Sequence, residues 1–134
     1  MEKILIIDDE PHICAVLREI LVREGFTVEV APDGQVGVAM WRKDPVDLVL
    51  TDIFMPNKDG IETILELKRS RPHAKIIAMT GGGQQRFREM GPIAAFLGAE
   101  LTLEKPFNRQ SLLAAIRSVL SEQDPAQGAV ASVC

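Results

Sequence analysis

The chain begins with a short apolar run, residues 3 to 8, in which Ile4-Leu5-Ile6-Ile7 has no polar alternation. Such a run reads as a strand buried on both faces, the situation of a parallel sheet covered by helices. From Pro11 the period changes: Ile13, Val16, Leu17, Ile20 and Leu21 recur at helical spacing, pointing inward, until Gly25 supplies a C-cap. Val28 and Val30 then alternate with Thr27 and Glu29, as in an edge strand with one wet face, and Asp33-Gly34 opens a second helix that runs through Met40-Trp41. Leu48-Val49-Leu50 leads into Thr51-Asp52. After the Met55-Pro56-Asn57 loop, a third helix turns Ile61, Ile64 and Leu65 inward and Glu62, Glu66 and Arg69 outward. Ile76-Ile77-Ala78-Met79 and Leu101-Thr102-Leu103 are further strands. A last helix, capped by Asn108, aligns Leu112, Leu113, Ile116, Val119 and Leu120 on one face.

Five strand–helix units in regular alternation predict an α/β fold, with right-handed crossovers and helices on both faces of a five-stranded parallel sheet. The 134 residues suit one domain, placed at 1–122, and the Asp-Pro-Ala-Gln-Gly segment with its small residues makes 123–134 read as a disordered tail. A net charge of -4, spread along the chain, offers neither a basic stripe for direct nucleic-acid binding nor a polybasic membrane patch, so protein partners are expected. With no apolar run of spanning length and no signal-peptide layout, the expected location is the cytoplasm, without membrane insertion. There Cys14 and Cys134 remain thiols, Cys14 as helix packing and Cys134 in the tail.

Polar groups collect where the strands end. Asp8 and Asp9 follow the first strand, Asp52 ends the third, Thr80 ends the fourth and Lys105 follows the fifth. In open parallel sheets, ligands bind outside these carboxyl ends. Clustered carboxylates repel one another, and an oxygen-only set without His or Cys suits a hard divalent cation, with Mg2+ as the expected cofactor. Asp52 is the best placed nucleophile for forming an acyl phosphate, and Asp8 and Asp9 share the metal. Lys105 pairs with Asp52 and then holds a phosphoryl oxygen, to which Thr80 adds a hydroxyl donor. Taken singly, each has a plainer reading: Asp9-Glu10-Pro11 as a helix cap, Asp52 and Thr80 as turn residues, Lys105 as a surface lysine. Their joint appearance at successive strand ends favours the site.

These residues resemble the receiver domains of two-component response regulators, of the CheY-like, single-domain form. The matching segments are Ile7-Asp8-Asp9-Glu10, Thr51-Asp52-Ile53-Phe54-Met55-Pro56 with Asp59-Gly60, Thr80-Gly81, Gly98-Ala99 and Lys105-Pro106-Phe107, spanning about residues 3 to 121. The resemblance implies a flavodoxin-like, doubly wound sheet of order 2-1-3-4-5. It implies Asp52 as phosphoacceptor, Asp8, Asp9, Asp52 and the backbone carbonyl of Ile53 as metal ligands, Thr80 and Lys105 against the phosphoryl group, and a cis peptide between Lys105 and Pro106. The implied donor is a phosphohistidine on a histidine kinase or histidine phosphotransfer protein, and the output is a downstream protein partner. His12 and His73 read as solvent-exposed residues rather than donors, and Gly81-Gly82-Gly83 lacks the Gly-Lys-Ser/Thr continuation of a nucleotide loop.

Three positions set this chain apart. Thr102 stands where the family usually carries an aromatic ring that moves with the threonine, so the switch is expected to involve Thr80, Thr102 and the Gly81-Gly82-Gly83 segment differently. Thr80 to Gly98 runs a few residues longer than in the family; its glycines, with Gly91-Pro92, predict a mobile loop over 81–91 and a short helix from Pro92 toward Leu97. Phe54, two residues past Asp52, is placed to tune water access to the acyl phosphate, or simply packs the loop. Trp41 and the other phenylalanines read as packing, with Phe107 anchoring the last helix.

The expected role is a non-enzymatic phosphoacceptor with slow autodephosphorylation, as a single-domain regulator, a relay shuttle or the receiver of a longer regulator. An aspartyl-phosphate phosphohydrolase is the rival, against which Asp8-Asp9-Glu10 lacks an Asp-x-Asp spacing. A degenerate receiver that binds partners without phosphorylation is disfavoured by the full set of site residues.

Overall fold

A computed structural model describes residues 2–55 and 59–121. The expectations for Pro56-Asn57, for the tail 123–134 and for Cys134 lie outside the described residues. Elements alternate without exception: β1 (Lys3–Ile7), α1 (Pro11–Arg23), β2 (Thr27–Ala31), α2 (Gly34–Lys43), β3 (Leu48–Asp52), α3 (Gly60–Ser70), β4 (Ile76–Thr80), α4 (Gln84–Leu97), β5 (Leu101–Glu104) and α5 (Arg109–Leu120). All pairings are parallel and the strand order is β2-β1-β3-β4-β5, a flavodoxin-like doubly wound sheet. Among the described residues no helix is long and apolar enough to cross a membrane.

The uninterrupted apolar strands are explained by two cores. Side chains alternate across a strand, so Ile4, Ile6, Leu48, Leu50, Ile77 and Met79 face α1 and α5, while Leu5, Ile7, Val49, Ile76 and Ala78 face α2, α3 and α4. Phe107 packs against the first cluster, and Trp41, 4% exposed, is part of the second. The N-caps follow the sequence signals: Asp33, Asp59 and Asn108 accept hydrogen bonds from the amides of Val36, Glu62 and Ser111 at 2.9, 3.0 and 2.8 Å. Gly25, at φ +97°, closes α1 in a left-handed conformation that costs glycine little.

Two expectations are corrected. Residues 84 to 97 form one helix, with Pro92 inside it, rather than a loop to residue 91 and a short helix after it. Pro92 removes the amide that would bond the Arg88 carbonyl and its ring crowds that oxygen, but both residues are exposed, where a freed carbonyl can tilt outward and be solvated, and the helix continues. The glycines act one turn earlier, where Gly82 and Gly83 take φ of +95° and +94° and the Gly83 carbonyl receives the Phe87 amide. Val16, expected inside, is 46% exposed because Cys14 and Leu17 occupy the buried stripe of α1.

Gly60 fixes how α3 meets β3. A Cβ there would fall against the Asp52 carbonyl oxygen and 2.5 Å from Ile53 Cα, backbone atoms with nowhere to yield. Gly60→Ala is therefore expected to destabilise the fold by about 2 kcal/mol or more, read as a lower urea midpoint at unchanged m-value.

Candidate functional site

The parallel register brings the ends of β1, β3 and β4 to one edge: Ile7 lies opposite Thr51, and Asp52 opposite Met79. Beyond β1 the chain must leave the sheet, and the Asp8 amide makes one last bond to the Ala31 carbonyl before it does. Asp8 is 1% and Asp52 5% exposed, whereas Asp9 and Glu10 are open to solvent. Carboxylate oxygens of Asp8, Asp9, Glu10 and Asp52 all lie within 4.8 Å of one another.

Lys105 neutralises part of this cluster. Its Nζ donates to Asp8 Oδ2 at 2.7 Å and stands 3.3 Å from Asp52 and 3.7 Å from Glu10. The expected Lys105–Asp52 pair is present, but Asp8 is the nearer partner. The Lys105 amide bonds the Thr80 carbonyl, which anchors the residue at the end of β4, and its side chain passes Gly81 at van der Waals distance; the Lys105–Pro106 peptide is cis.

The other acceptors are arranged around the same space. Asp8 Oδ1 receives the Glu10 amide, so its two oxygens serve different donors. The Ile53 carbonyl accepts the Gly60 amide at 2.8 Å and keeps its second lone pair. Thr80 is fully buried at the end of β4, and its hydroxyl donates to the Gly81 carbonyl at 3.2 Å. Thr102 sits farther back on β5, opposite Ala78 and half-buried, so it contributes no group to the cluster. Gly82 and Gly83 form the β4–α4 turn beside the site rather than lining the carboxylates.

Burial is the main reason that the Asp52 carboxyl is pushed up from 3.8 to about 6. Attraction to Lys105 opposes the rise, the negative Asp8 adds to it, and hydrogen bonds from Lys105 and the Phe54 amide lower it again. For Lys105, burial disfavours the charge, but Asp8 and Asp52 together outweigh burial and hold its pKa above the ordinary value.

Glu10 is the group that sequence reasoning undervalued. Read as part of a helix cap, it occupies the N-cap position of α1 without making a side-chain cap bond. Its carboxylate instead joins the acidic cluster beside Lys105. The signal was available in the contiguous Asp8-Asp9-Glu10, since a proline at the next position already starts the helix without help from a capping side chain.

A buried carboxylate at a strand end, flanked by more carboxylates, a lysine and a threonine on a 2-1-3-4-5 sheet, is an arrangement suited to holding a divalent cation beside a nucleophilic oxygen. Residues 4–117 match the response regulator receiver domain family, and the chain belongs to that family. The transcriptional regulatory protein CpxR of Klebsiella pneumoniae is 42% identical over 120 residues, covering 90% of this chain and 50% of the relative. The chain thus spans about half the length of that regulator. The chemotaxis protein CheY of Halobacterium salinarum is 37% identical over 120 residues, covering 90% of this chain and 98% of the relative. Among solved structures, a receiver domain protein from Clostridium thermocellum superposes with a TM-score of 0.85 at 30% identity, covering 92% of this chain and 97% of that one. The response regulator TrrA of Thermotoga maritima, in complex with Mg2+ and BeF, gives a TM-score of 0.79 at 30% identity, covering 89% and 99% of the two chains.

Because the folded-state pKa of Asp52 lies above its unfolded value, the folded state binds the proton more tightly, and this carboxyl favours folding most when protonated. In chelator, its contribution to stability should fall as the pH rises from about 4 to about 6 and then level off. Urea midpoints of the protein and of Asp52→Asn should diverge across that window in favour of the variant. A difference that is independent of pH would contradict the shift.

Proposed function

We propose that this domain accepts a phosphoryl group from a phosphohistidine on a histidine kinase or histidine phosphotransfer protein onto Asp52, with Mg2+, and signals through contacts with a protein partner. The observation that carries this reading is the 3.3 Å approach of the Lys105 ammonium to a buried Asp52 whose other neighbours are carboxylates. An isolated structural salt bridge would not need three additional acids around it.

The oxygen-only donor set fits Mg2+. Asp8, Asp9 and Asp52 would hold the ion together with the free lone pair of the Ile53 carbonyl, and Glu10 adds negative charge at the rim. A bound Mg2+ supplies the positive charge that lets these carboxylates and the phosphoryl oxygens share one pocket. The chain's own residues do the rest. Ionised Asp52 attacks phosphorus through a carboxylate oxygen as the phosphorus–nitrogen bond of the donor breaks, leaving an acyl phosphate here and an imidazole on the donor. Lys105 moves from pairing carboxylates to pairing a phosphoryl oxygen, and the Thr80 hydroxyl leaves the Gly81 carbonyl for another.

A docking surface for the donor adjoins the site. A groove of about 520 Å3 runs between α1 and the start of α5, lined by Ile13, Val16, Ile20, Pro106 and Phe107, with Lys105 at one end. This arrangement gives the exposed Val16 a role, since an apolar helix face of the donor would cover it and aim its histidine at Asp52.

Intact-mass measurement after incubation with acetyl phosphate and Mg2+ should find one added phosphoryl per chain, absent in Asp52→Asn and abolished by chelator. No Asp52-dependent mass increase would sink the assignment. Val16→Arg should leave labelling by acetyl phosphate unchanged but slow transfer from a phosphorylated histidine protein by roughly tenfold, the loss expected when a charge enters a buried apolar contact. Equal transfer rates would remove the groove from the reading.

A further inference from the structure

The rim of the site carries a contact that neither the carboxylates nor the lysine explain. Arg86, in the first turn of α4, places its guanidinium carbon 4.1 Å from the centroid of the Phe54 ring. Phe54 is 38% exposed, yet it is tied to the nucleophile, because its own amide donates a hydrogen bond to the Asp52 carboxyl. A ring attached so closely to Asp52 but open to water on one side would ordinarily move among rotamers. The guanidinium group lies over it instead.

The β4–α4 turn is shaped to let the arginine reach. A Cβ on Gly82 would lie 2.7 Å from Arg86 Cδ, 2.9 Å from Nη1 and 3.0 Å from Nε, so the arginine side chain fills the space that a larger residue at 82 would occupy. Gly82 also takes φ +95°, which glycine adopts without strain. A left-handed glycine, an arginine laid across it and an aromatic ring beneath the arginine thus bridge from the β4–α4 turn to the β3–α3 turn. Among the described residues Arg86 has no carboxylate partner, so the ring is what holds its cation.

We propose that Arg86 is a positioning residue which, stacked on Phe54 across the space left by Gly82, holds that ring at the mouth of the site and slows hydrolysis of the acyl phosphate on Asp52. This rests on the phosphoacceptor reading given above. In the hydrolysis, a water oxygen bonds to phosphorus as the bond from phosphorus to the Asp52 oxygen breaks. Asp52 leaves as a carboxylate, and the protons of the water go to inorganic phosphate and solvent. The arginine touches none of these atoms; it acts by limiting how often the ring swings aside to admit the water. A cation–π contact at a partly exposed position restrains the ring modestly, so the expected effect is a lifetime change of a few fold.

The test is the decay of the acyl phosphate after acetyl phosphate and Mg2+ are removed, followed by intact mass in wild type, Arg86→Ala, Phe54→Leu and the double variant. Arg86→Ala should shorten the lifetime about threefold, with the thermal midpoint unchanged, and should have no further effect once Phe54→Leu is present. Arg86→Gln, which keeps the stem but not the cation, should match Arg86→Ala and serves if the alanine variant folds poorly. An unchanged lifetime in fully labelled Arg86→Ala or Arg86→Gln would overturn the proposal, as would an equal effect in both Phe54 backgrounds, because the arginine would then act independently of the ring. A wild-type chain that takes no label would sink the phosphoacceptor reading itself, so the two failures are distinct.

Discussion

One half-buried cation makes the site possible. Four carboxylates within 4.8 Å repel one another, and although Asp9 and Glu10 are open to solvent, the Lys105 ammonium is what lets the other two, Asp8 and Asp52, stay buried side by side. The lysine is held in place by the fold. Its amide closes the β4–β5 ladder on Thr80, its stem passes a glycine, and a proline follows it at once. The sheet order, which sets β5 beside β4, is therefore a condition for placing one positive charge.

Much of this was legible in the sequence, and the reason is local. Strands buried on both faces leave no polar residue unexplained, so acids at their ends stand out, and Asp8, Asp9, Asp52, Thr80 and Lys105 do come to one edge. Helix starts were equally clear wherever a short polar side chain caps them, at Asp33, Asp59 and Asn108. What failed depended on solvent. Pro92 removes one helical hydrogen bond and its ring crowds the carbonyl four residues back, but on the exposed side of α4 that carbonyl can tilt toward solvent, and the helix runs through it. Val16 has the correct spacing for a core position, but periodicity alone does not say which side of a wide apolar stripe meets the sheet. The stack of Arg86 on Phe54 joins residues 32 positions apart in turns of no regular pattern, and no periodicity points to it.

Thr102 gains a clearer meaning from its setting. It lies opposite Ala78, half-buried and away from the carboxylates, so it has neither the volume of a ring nor contact with the cluster. Contact between the site and α4 runs along the rim instead, through the β4–α4 turn. Thr80, Gly81, Gly82 and Arg86 are consecutive parts of one short path from the end of β4 into the helix.

The packing of α4 has a broader consequence. Ala94 is its one fully buried residue among those described, while Ile93 and Phe96 face outward, Phe96 at 90% exposure. A fourteen-residue helix held by Ala94 and the partly buried Met90 and Leu97 contributes less to the folding free energy than strands such as β3 and β4, whose side chains are buried throughout. Substitutions along its outer side are correspondingly cheap for the fold, whereas changes in β1 or β3 disturb the two cores and the acidic pocket together. The molecule thus divides into the strands and their two cores, where a substitution disturbs packing on one face of the sheet or the other, and the outer side of α4 around Ile93 and Phe96, where a substitution alters the surface that the domain presents more than its stability.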